Sequence, residues 1–131
     1  MLATDIEFEK LKMLLDYTKF HLGVYLSLLG GIVAFVSSDW GPPLNRPAVR
    51  CLLCISVILL AVAGACGGVV GATAVGYASH KDFRDAQIGP SYLHLMSGGA
   101  WVGWEHGCFW TAVTLMVVAL TIFLPTRRRA K

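Results

Sequence analysis

Three apolar stretches constrain what this chain can fold into: Leu22–Val36, Cys51–Tyr77 and Cys108–Leu124. Each is nearly free of charge and, with its flanks, is long enough to cross a hydrocarbon core of about 30 Å. Because backbone polar groups in lipid must be satisfied internally, such stretches form helices. The residues outside them are too few for a separate water-soluble domain with its own core. The sequence therefore predicts an all-α integral membrane protein with three transmembrane helices in one domain, 1–131.

The first transmembrane helix is predicted to carry a polar N-terminal extension. Charged side chains recur there at spacings of three and four residues: Asp5, Glu9, Lys12, Asp16 and Lys19. Thr4 and Glu7 match a capping box, which marks a helix start. Opposite charges at these spacings stabilise a solvated helix face. We expect one continuous helix from about Thr4 to Val36, amphipathic over 4–19 and transmembrane over 20–36.

Proline and glycine divide the rest of the chain. Pro42 and Pro43 end the first helix, and Asn45 and Pro47 precede the second. We expect the second span over 51–77, continuing into the polar residues 79–85 until Gly89-Pro90 ends the helix. Gly98-Gly99 is predicted to be a break within a polar or interfacial connection, 78–105. The third span is expected over 108–124, followed by a basic tail, 125–131.

The second span contains a stripe of small residues. Gly64, Gly68, Ala72 and Gly76 lie four residues apart, and Gly67 and Gly71 widen the stripe. Each glycine would cost a helix in water about 0.5–1 kcal/mol relative to alanine, but in lipid a bare stripe lets another helix approach closely. We expect this stripe to mediate close packing, and the chain to self-associate or to assemble with another membrane protein.

Histidines and carboxylates form the candidate polar sites. His21, one turn from Tyr17 and Tyr25, is either a functional residue inside the membrane or a side chain that reaches the interface. His94, Glu105 and His106 are grouped in the connection before the third span, where a metal or proton-relay site competes with ordinary loop chemistry. All charges are expected to lie outside the spans, so no charge-lined ion pathway is predicted.

The remaining polar and aromatic residues suggest lining or anchoring roles. Thr111, Thr114 and Thr121 share a face of the third span, where they could line a narrow pore or bond to helix carbonyls. The four cysteines, Cys51, Cys54, Cys66 and Cys108, are predicted to be small buried hydrophobes rather than disulfides or a zinc site. Lipid-headgroup contacts are expected from Trp40, Trp101, Trp104, Arg127, Arg128 and Arg129.

Together these features predict a small homo-oligomeric membrane protein that acts as an assembly, either a pore or a membrane-perturbing effector. The alternative is a non-catalytic accessory subunit that scaffolds a larger membrane complex. We expect no enzymatic activity, cofactor, metal or nucleic-acid partner, since no motif for them is present. The density of the C-terminal basic cluster favours a cytoplasmic C-terminus in a bacterial-type inner membrane.

Overall fold

The computed structural model describes residues 3–38, 47–90 and 95–127, with side chains over 4–122 of these. Three long helices dominate: α1 (Ala3–Ser37), α2 (Pro47–Ala74) and α4 (Gly98–Arg127). A short helix, α3 (His80–Asp85), and two short strands, β1 (Gln87–Ile88) and β2 (Met96–Ser97), connect α2 to α4. The strands pair antiparallel, with Ile88 opposite Met96. The three long helices are each long and apolar enough to cross a membrane, which confirms the predicted fold class.

The first helix is continuous, as predicted, but its first turn is held differently. The five charged residues that recur at spacings of three and four, from Asp5 to Lys19, are exposed. Glu7 does not close a capping box with Thr4. Its carboxylate accepts instead from Lys10 Nζ at 2.7 Å and from the backbone N–H of Lys81 at 3.1 Å. The Glu7 carboxylate therefore joins the start of α1 to the start of α3.

Each long helix buries a narrow stripe in which most successive members lie three or four residues apart. On α2 the stripe runs from Val49 to Ala74 and includes Leu60, Ala63 and Gly67. This spacing, close to 3.5 residues, is typical of helices that cross at a shallow angle and interlock along their length. Of the three spans, α2 has the largest buried share, as expected for the middle helix.

The core forms three successive layers along the bundle. The members of the layers are Val49, Leu53 and Ala119; Tyr25, Leu60, Ala63, Cys108, Phe109 and Ala112; and Leu11, Cys66, Val70, Ala74, Phe83, Ile88 and Trp101. Residue numbers rise along α1 and α4 from the third layer to the first, while those of α2 fall. The bundle is therefore up-down-up, with α2 antiparallel to both neighbours.

The connection between α2 and α4 differs from the prediction. Helix α2 ends at Ala74, and α3 starts separately with the Ser79 hydroxyl accepting from Asp82 N at 3.1 Å. Helix α4 begins at Gly98, so residues 98–105 are its first turns rather than part of a polar connection. A Cβ on Gly98 would overlap the Phe83 carbonyl oxygen, and one on Gly99 would lie 2.7 Å from Arg84 Cγ. The paired glycines thus allow α3 to pack against the start of α4.

Most of the outer surface of the three long helices is apolar. Its large exposed side chains include Phe20, Leu26, Val33, Ile55, Ile58, Val62, Trp110, Val117 and Ile122.

The prediction that all four cysteines are buried is half right. Cys66 and Cys108 are buried, whereas Cys51 and Cys54 are exposed on the first turns of α2. Cys51 and Cys54 lie on the outer face of α2, because Val49 and Leu53 occupy the inner face at this level.

Candidate functional site

A polar and aromatic cluster lies between α1 and α4. On α1, Tyr17, His21 and Tyr25 recur every four residues and therefore share one helix face. The α4 residues facing them are Glu105, His106 and Phe109. Ring contacts join the two helices, with the His21 and Phe109 centroids 5.7 Å apart and those of Tyr25 and Phe109 5.1 Å apart.

Glu105 lies at the centre of this cluster. It is only 1% exposed. The Tyr25 hydroxyl donates to its Oε1 atom at 2.9 Å. His21 Nδ1 lies 3.8 Å from the same oxygen, which is beyond hydrogen-bonding distance. The Glu105 carboxyl therefore has one neutral hydrogen-bond donor, the Tyr25 hydroxyl, and lies next to the His21 ring without a hydrogen bond to it.

Gly67 on α2 provides the space that the carboxyl occupies. A Cβ built on Gly67 would lie 3.0 Å from Glu105 Oε1 and 3.2 Å from Glu105 Cδ. A methyl group at this position would make an unusually tight contact, so the carboxyl would have to move by a few tenths of an ångström. One glycine of the predicted packing stripe thus admits a polar side chain, in addition to letting helices approach.

His106 and Tyr17 connect the cluster to the surface. His106 Nδ1 lies 2.8 Å from the Val102 carbonyl oxygen, which only accepts hydrogen bonds, so Nδ1 carries a proton. In the neutral ring, Nε2 then accepts from the Tyr17 hydroxyl, 3.0 Å away. Tyr17 is 42% exposed and its ring centroid is 3.8 Å from that of His21. These two side chains therefore link the outside of the bundle to the His21 ring.

Two buried polar atoms of the cluster have no hydrogen-bond partner among the described residues. They are His21 Nδ1 and Thr18 Oγ1, both on the inner face of α1. Unpaired buried polar atoms cost free energy, so each one in a packed core calls for an explanation. His21 is 8% exposed, so its ring packs inside the bundle instead of extending along the outer surface.

The structure joins sites that the sequence treated separately. His21 from the first span and Glu105 with His106 from the supposed connection form one cluster. The prediction placed Glu105 in the connection, whereas the structure places it on α4, within the candidate span Gly98–Ile122, and buries its side chain. From sequence alone, Tyr17 and Tyr25 have no role beyond lying one turn from His21. The repeat of ring side chains every four residues was the signal that marked this face of α1.

The glycine stripe divides between inner and outer surfaces. Gly64 and Gly71 face α1, where Cβ atoms would lie 3.9 Å from Tyr25 Cδ2 and 3.8 Å from Thr18 Cγ2. Gly68 and Ala72 are exposed on α2, whereas Gly76 lies in the turn after Ala74 rather than in the helix as predicted. Residues exactly four apart drift around the helix, whereas the buried stripe alternates three and four. The later members of the Gly64–Gly76 series therefore do not take part in the packing of α2 against α1.

Thr111, Thr114 and Thr121 are exposed on α4. Their hydroxyls donate to the carbonyl oxygens of Gly107, Trp110 and Val118 at 2.7, 2.9 and 2.8 Å, respectively. This is the helix-bonded arrangement that the sequence offered as an alternative to pore lining.

The expected headgroup anchors separate into three groups. Trp101 is buried rather than interfacial, because its Nε1 donates to the Ile88 carbonyl oxygen at 3.0 Å and its ring joins the core. Trp104 is exposed, and its lipid contact stays a prediction. Trp40, His94, Arg128, Arg129 and the side chain of Arg127 lie outside the described part of the chain.

Among the residues that the structure describes, no group of three or more histidine, cysteine or acidic side chains is arranged to hold a metal ion. Searches of protein-family models, curated proteins and solved structures find no match to this chain. The fold and the cluster together define a class: an all-α protein with three membrane-spanning helices and an acidic side chain buried between them.

Proposed function

We propose that the protein self-associates through the outer small-residue face of α2 and acts as an assembly that forms a pore or perturbs the bilayer. The observation that carries this proposal is the surroundings of Gly68. It is exposed, and no atom lies within 4 Å of a Cβ built on it. Close approach of a second helix is the main use of exposed small residues in lipid.

The other two long helices, α1 and α4, also expose small residues against which a second copy of the chain could pack. On α1, Gly23, Ser27 and Gly31 are exposed at spacings of four residues. On α4, Gly103 and Gly107 have the same spacing, and neither has a neighbouring atom within 4 Å of a Cβ position. A protomer with small outer surfaces on several helices has what a closed ring of copies needs, since neighbours in a ring contact different surfaces.

The pore part of the proposal draws on the outer face of α4. Thr111 and Thr114 lie on the same outward side as Gly107. Their hydroxyls donate to their own helix but keep lone pairs that can accept from water or from a permeating solute. If this face turned toward the axis of an assembly, it would line a narrow, uncharged passage.

Gly68→Leu tests the assembly directly. We expect the variant to keep its helical content but to elute from detergent as a smaller species than the wild type, because the new side chain separates the paired helices. Val62→Leu is the matched control, since Val62 is exposed on another side of α2 and the substitution adds one methylene there. Assembly of Gly68→Leu at wild-type size would contradict self-association through this face.

Dye release from liposomes tests the pore separately. Assembled wild-type protein should release a small entrapped dye, and Gly68→Leu should not. Protein that oligomerises but never permeabilises vesicles would eliminate the pore and leave self-association standing.

The second candidate is a non-catalytic accessory subunit of a larger membrane complex. The exposed charged face of α1, including Glu9, Lys12 and Asp16, favours it because such a face can dock on a partner outside the membrane. Copurification of one stoichiometric heterologous membrane protein would select this candidate. In either case we propose a non-enzymatic role in a bacterial-type inner membrane, with the C-terminus cytoplasmic.

A further inference from the structure

The Glu105 carboxyl lacks the partner that a buried ion requires. In the described part of the chain the two close ion pairs involving lysine or arginine are Lys10–Glu7 and Arg84–Asp85, and both are exposed. A carboxylate moved from water into an apolar interior pays a large desolvation cost unless it is paired. Tyr25 donates one neutral hydrogen bond, which offsets only part of that cost.

The missing partner has a place in the cluster. His21 Nδ1 is buried, without a hydrogen-bond partner among the described residues, and 3.8 Å from Glu105 Oε1. A proton on either group would turn the two atoms into a donor and an acceptor, and a small side-chain rotation would bring them into hydrogen-bonding distance.

We propose that His21 and Glu105 form a proton-binding site inside the bundle, and that Tyr17 and His106 form its connection to the outside. In the uptake step, a proton from bulk water adds to the Glu105 carboxylate and forms the O–H bond of a carboxylic acid. That hydroxyl then donates to the neutral His21 Nδ1. The net charge of the pair rises from minus one to zero, and the reverse step returns the proton to water.

The groups that face the pair set its response to pH. From α1 these are Tyr17 and Tyr25, from α2 the Cys66 thiol, and from α4 His106 together with the Cys108 thiol in the layer of Tyr25. Of these groups, His106 is the histidine beside the pair, with its ring centroid 5.6 Å from that of His21.

The access route follows from exposure and contact. Tyr17 is exposed, bonds to His106 Nε2 and packs edge-on against the His21 ring. The His106 and His21 ring centroids are 5.6 Å apart. A proton arriving at the Tyr17–His106 hydrogen bond is therefore one side chain away from the buried pair.

Infrared difference spectra of the protein in lipid vesicles, recorded between alkaline and acid buffer, test the site. We expect a carboxylic-acid carbonyl band that grows on acidification, disappears in Glu105→Gln and persists in Glu9→Gln. Glu9 is the matched control because it is an exposed glutamate on the polar half of α1. A Glu105 band that is absent, or that is equally strong at every pH, would overturn the proposal.

A second measurement does not depend on the variant folding. The chain contains three glutamates, Glu7, Glu9 and Glu105. Isotope-labelled glutamate in wild-type protein therefore gives three carboxyl signals in solid-state NMR, and one should titrate together with the His21 ring nitrogens. Independent titration of the carboxyl and the imidazole would contradict a shared site.

Tyr17→Phe tests the route, since it keeps the ring against His21 and removes only the hydroxyl. The acid band should reach its wild-type amplitude but appear severalfold more slowly after a rapid drop in pH. Unchanged kinetics would eliminate Tyr17 from the route. Because the site lies within one protomer, Gly68→Leu should retain the band even when it no longer assembles, so this proposal and self-association can fail separately.

Discussion

Neighbouring glycines on α2 meet different surroundings. A Cβ on Gly67 would lie 3.0 Å from the Glu105 carboxyl, whereas one on Gly68 would meet nothing within 4 Å. Sequence alone gives both the same meaning, a bare position on a membrane helix. The distinction depends on Glu105, which reaches Gly67 only after the chain has folded back on itself.

Gly67→Ala and Gly68→Ala should therefore differ in stability. Gly67→Ala should lower the free energy of unfolding by about 1–3 kcal/mol, the usual cost of overpacking a filled core. Gly68→Ala should change it by less than about 0.5 kcal/mol, as surface substitutions do. Thermal unfolding in detergent, followed by circular dichroism, measures both. Equal effects of the two substitutions would contradict the place assigned to the Glu105 carboxyl.

At the scale of elements, the length of the apolar stretches predicted the helices correctly, whereas the positions of glycines were a poorer guide to where the helices start and end. The continuous first helix followed from uninterrupted apolar and charged periodicity between Thr4 and Val36. The start of α4 was misplaced because Gly98-Gly99 usually breaks a helix. In the folded chain these glycines let Phe83 and Arg84 approach, a contact that local sequence does not encode.

The polar cluster could be predicted only in part, because local sequence identifies its residues but not the contacts between them. His21 and the pair Glu105–His106 were each identified by residue type. Their proximity depends on how α1 and α4 are rotated, and no local pattern specifies that rotation. Placing Glu105 in a connection also hid its burial, since the error in the α4 start moved it out of the span.

The contact between α1 and α3 should weaken in acid. The Lys10 ammonium, by hydrogen bonding to the Glu7 carboxylate, lowers the pKa of Glu7, and the Lys81 N–H adds to this effect. The pKa in the folded protein lies below that of the unfolded chain. The stabilising contribution is therefore present above the unfolded pKa and is lost as pH falls through the folded pKa.

Hydrogen exchange at the Lys81 amide reports this contact. Its protection factor in the wild type should fall as the pH is lowered through the folded pKa of Glu7. In Glu7→Ala it should be low at every pH, and in Glu9→Ala it should follow the wild type. A pH-independent protection factor in the wild type would show that Glu7 does not hold α3.

At the scale of the whole molecule, the up-down-up order fixes which ends share a side of the membrane. The C-terminal end of α1, the N-terminal end of α2 and the C-terminal end of α4 lie at the same end of the bundle, beside the layer of Val49, Leu53 and Ala119. The polar half of α1, with α3 and the strands, lies at the other end. Lysine and arginine residues occur at both ends of the bundle, so their distribution is only a weak indicator of which end faces the cytoplasm.

Cysteine labelling turns this arrangement into a measurement. In a background with Cys51→Ser and Cys54→Ser, the two remaining cysteines, Cys66 and Cys108, are buried and should stay unreactive. Ser38→Cys, just after α1, and Ala78→Cys, between α2 and α3, then place one exposed thiol at each end of the bundle. With the proposed cytoplasmic C-terminus, a membrane-impermeant maleimide should label Ala78→Cys in intact cells and Ser38→Cys only in inverted vesicles. The reverse pattern would invert the orientation but keep the three spans, whereas labelling of both from one side would mean that α2 does not cross the membrane.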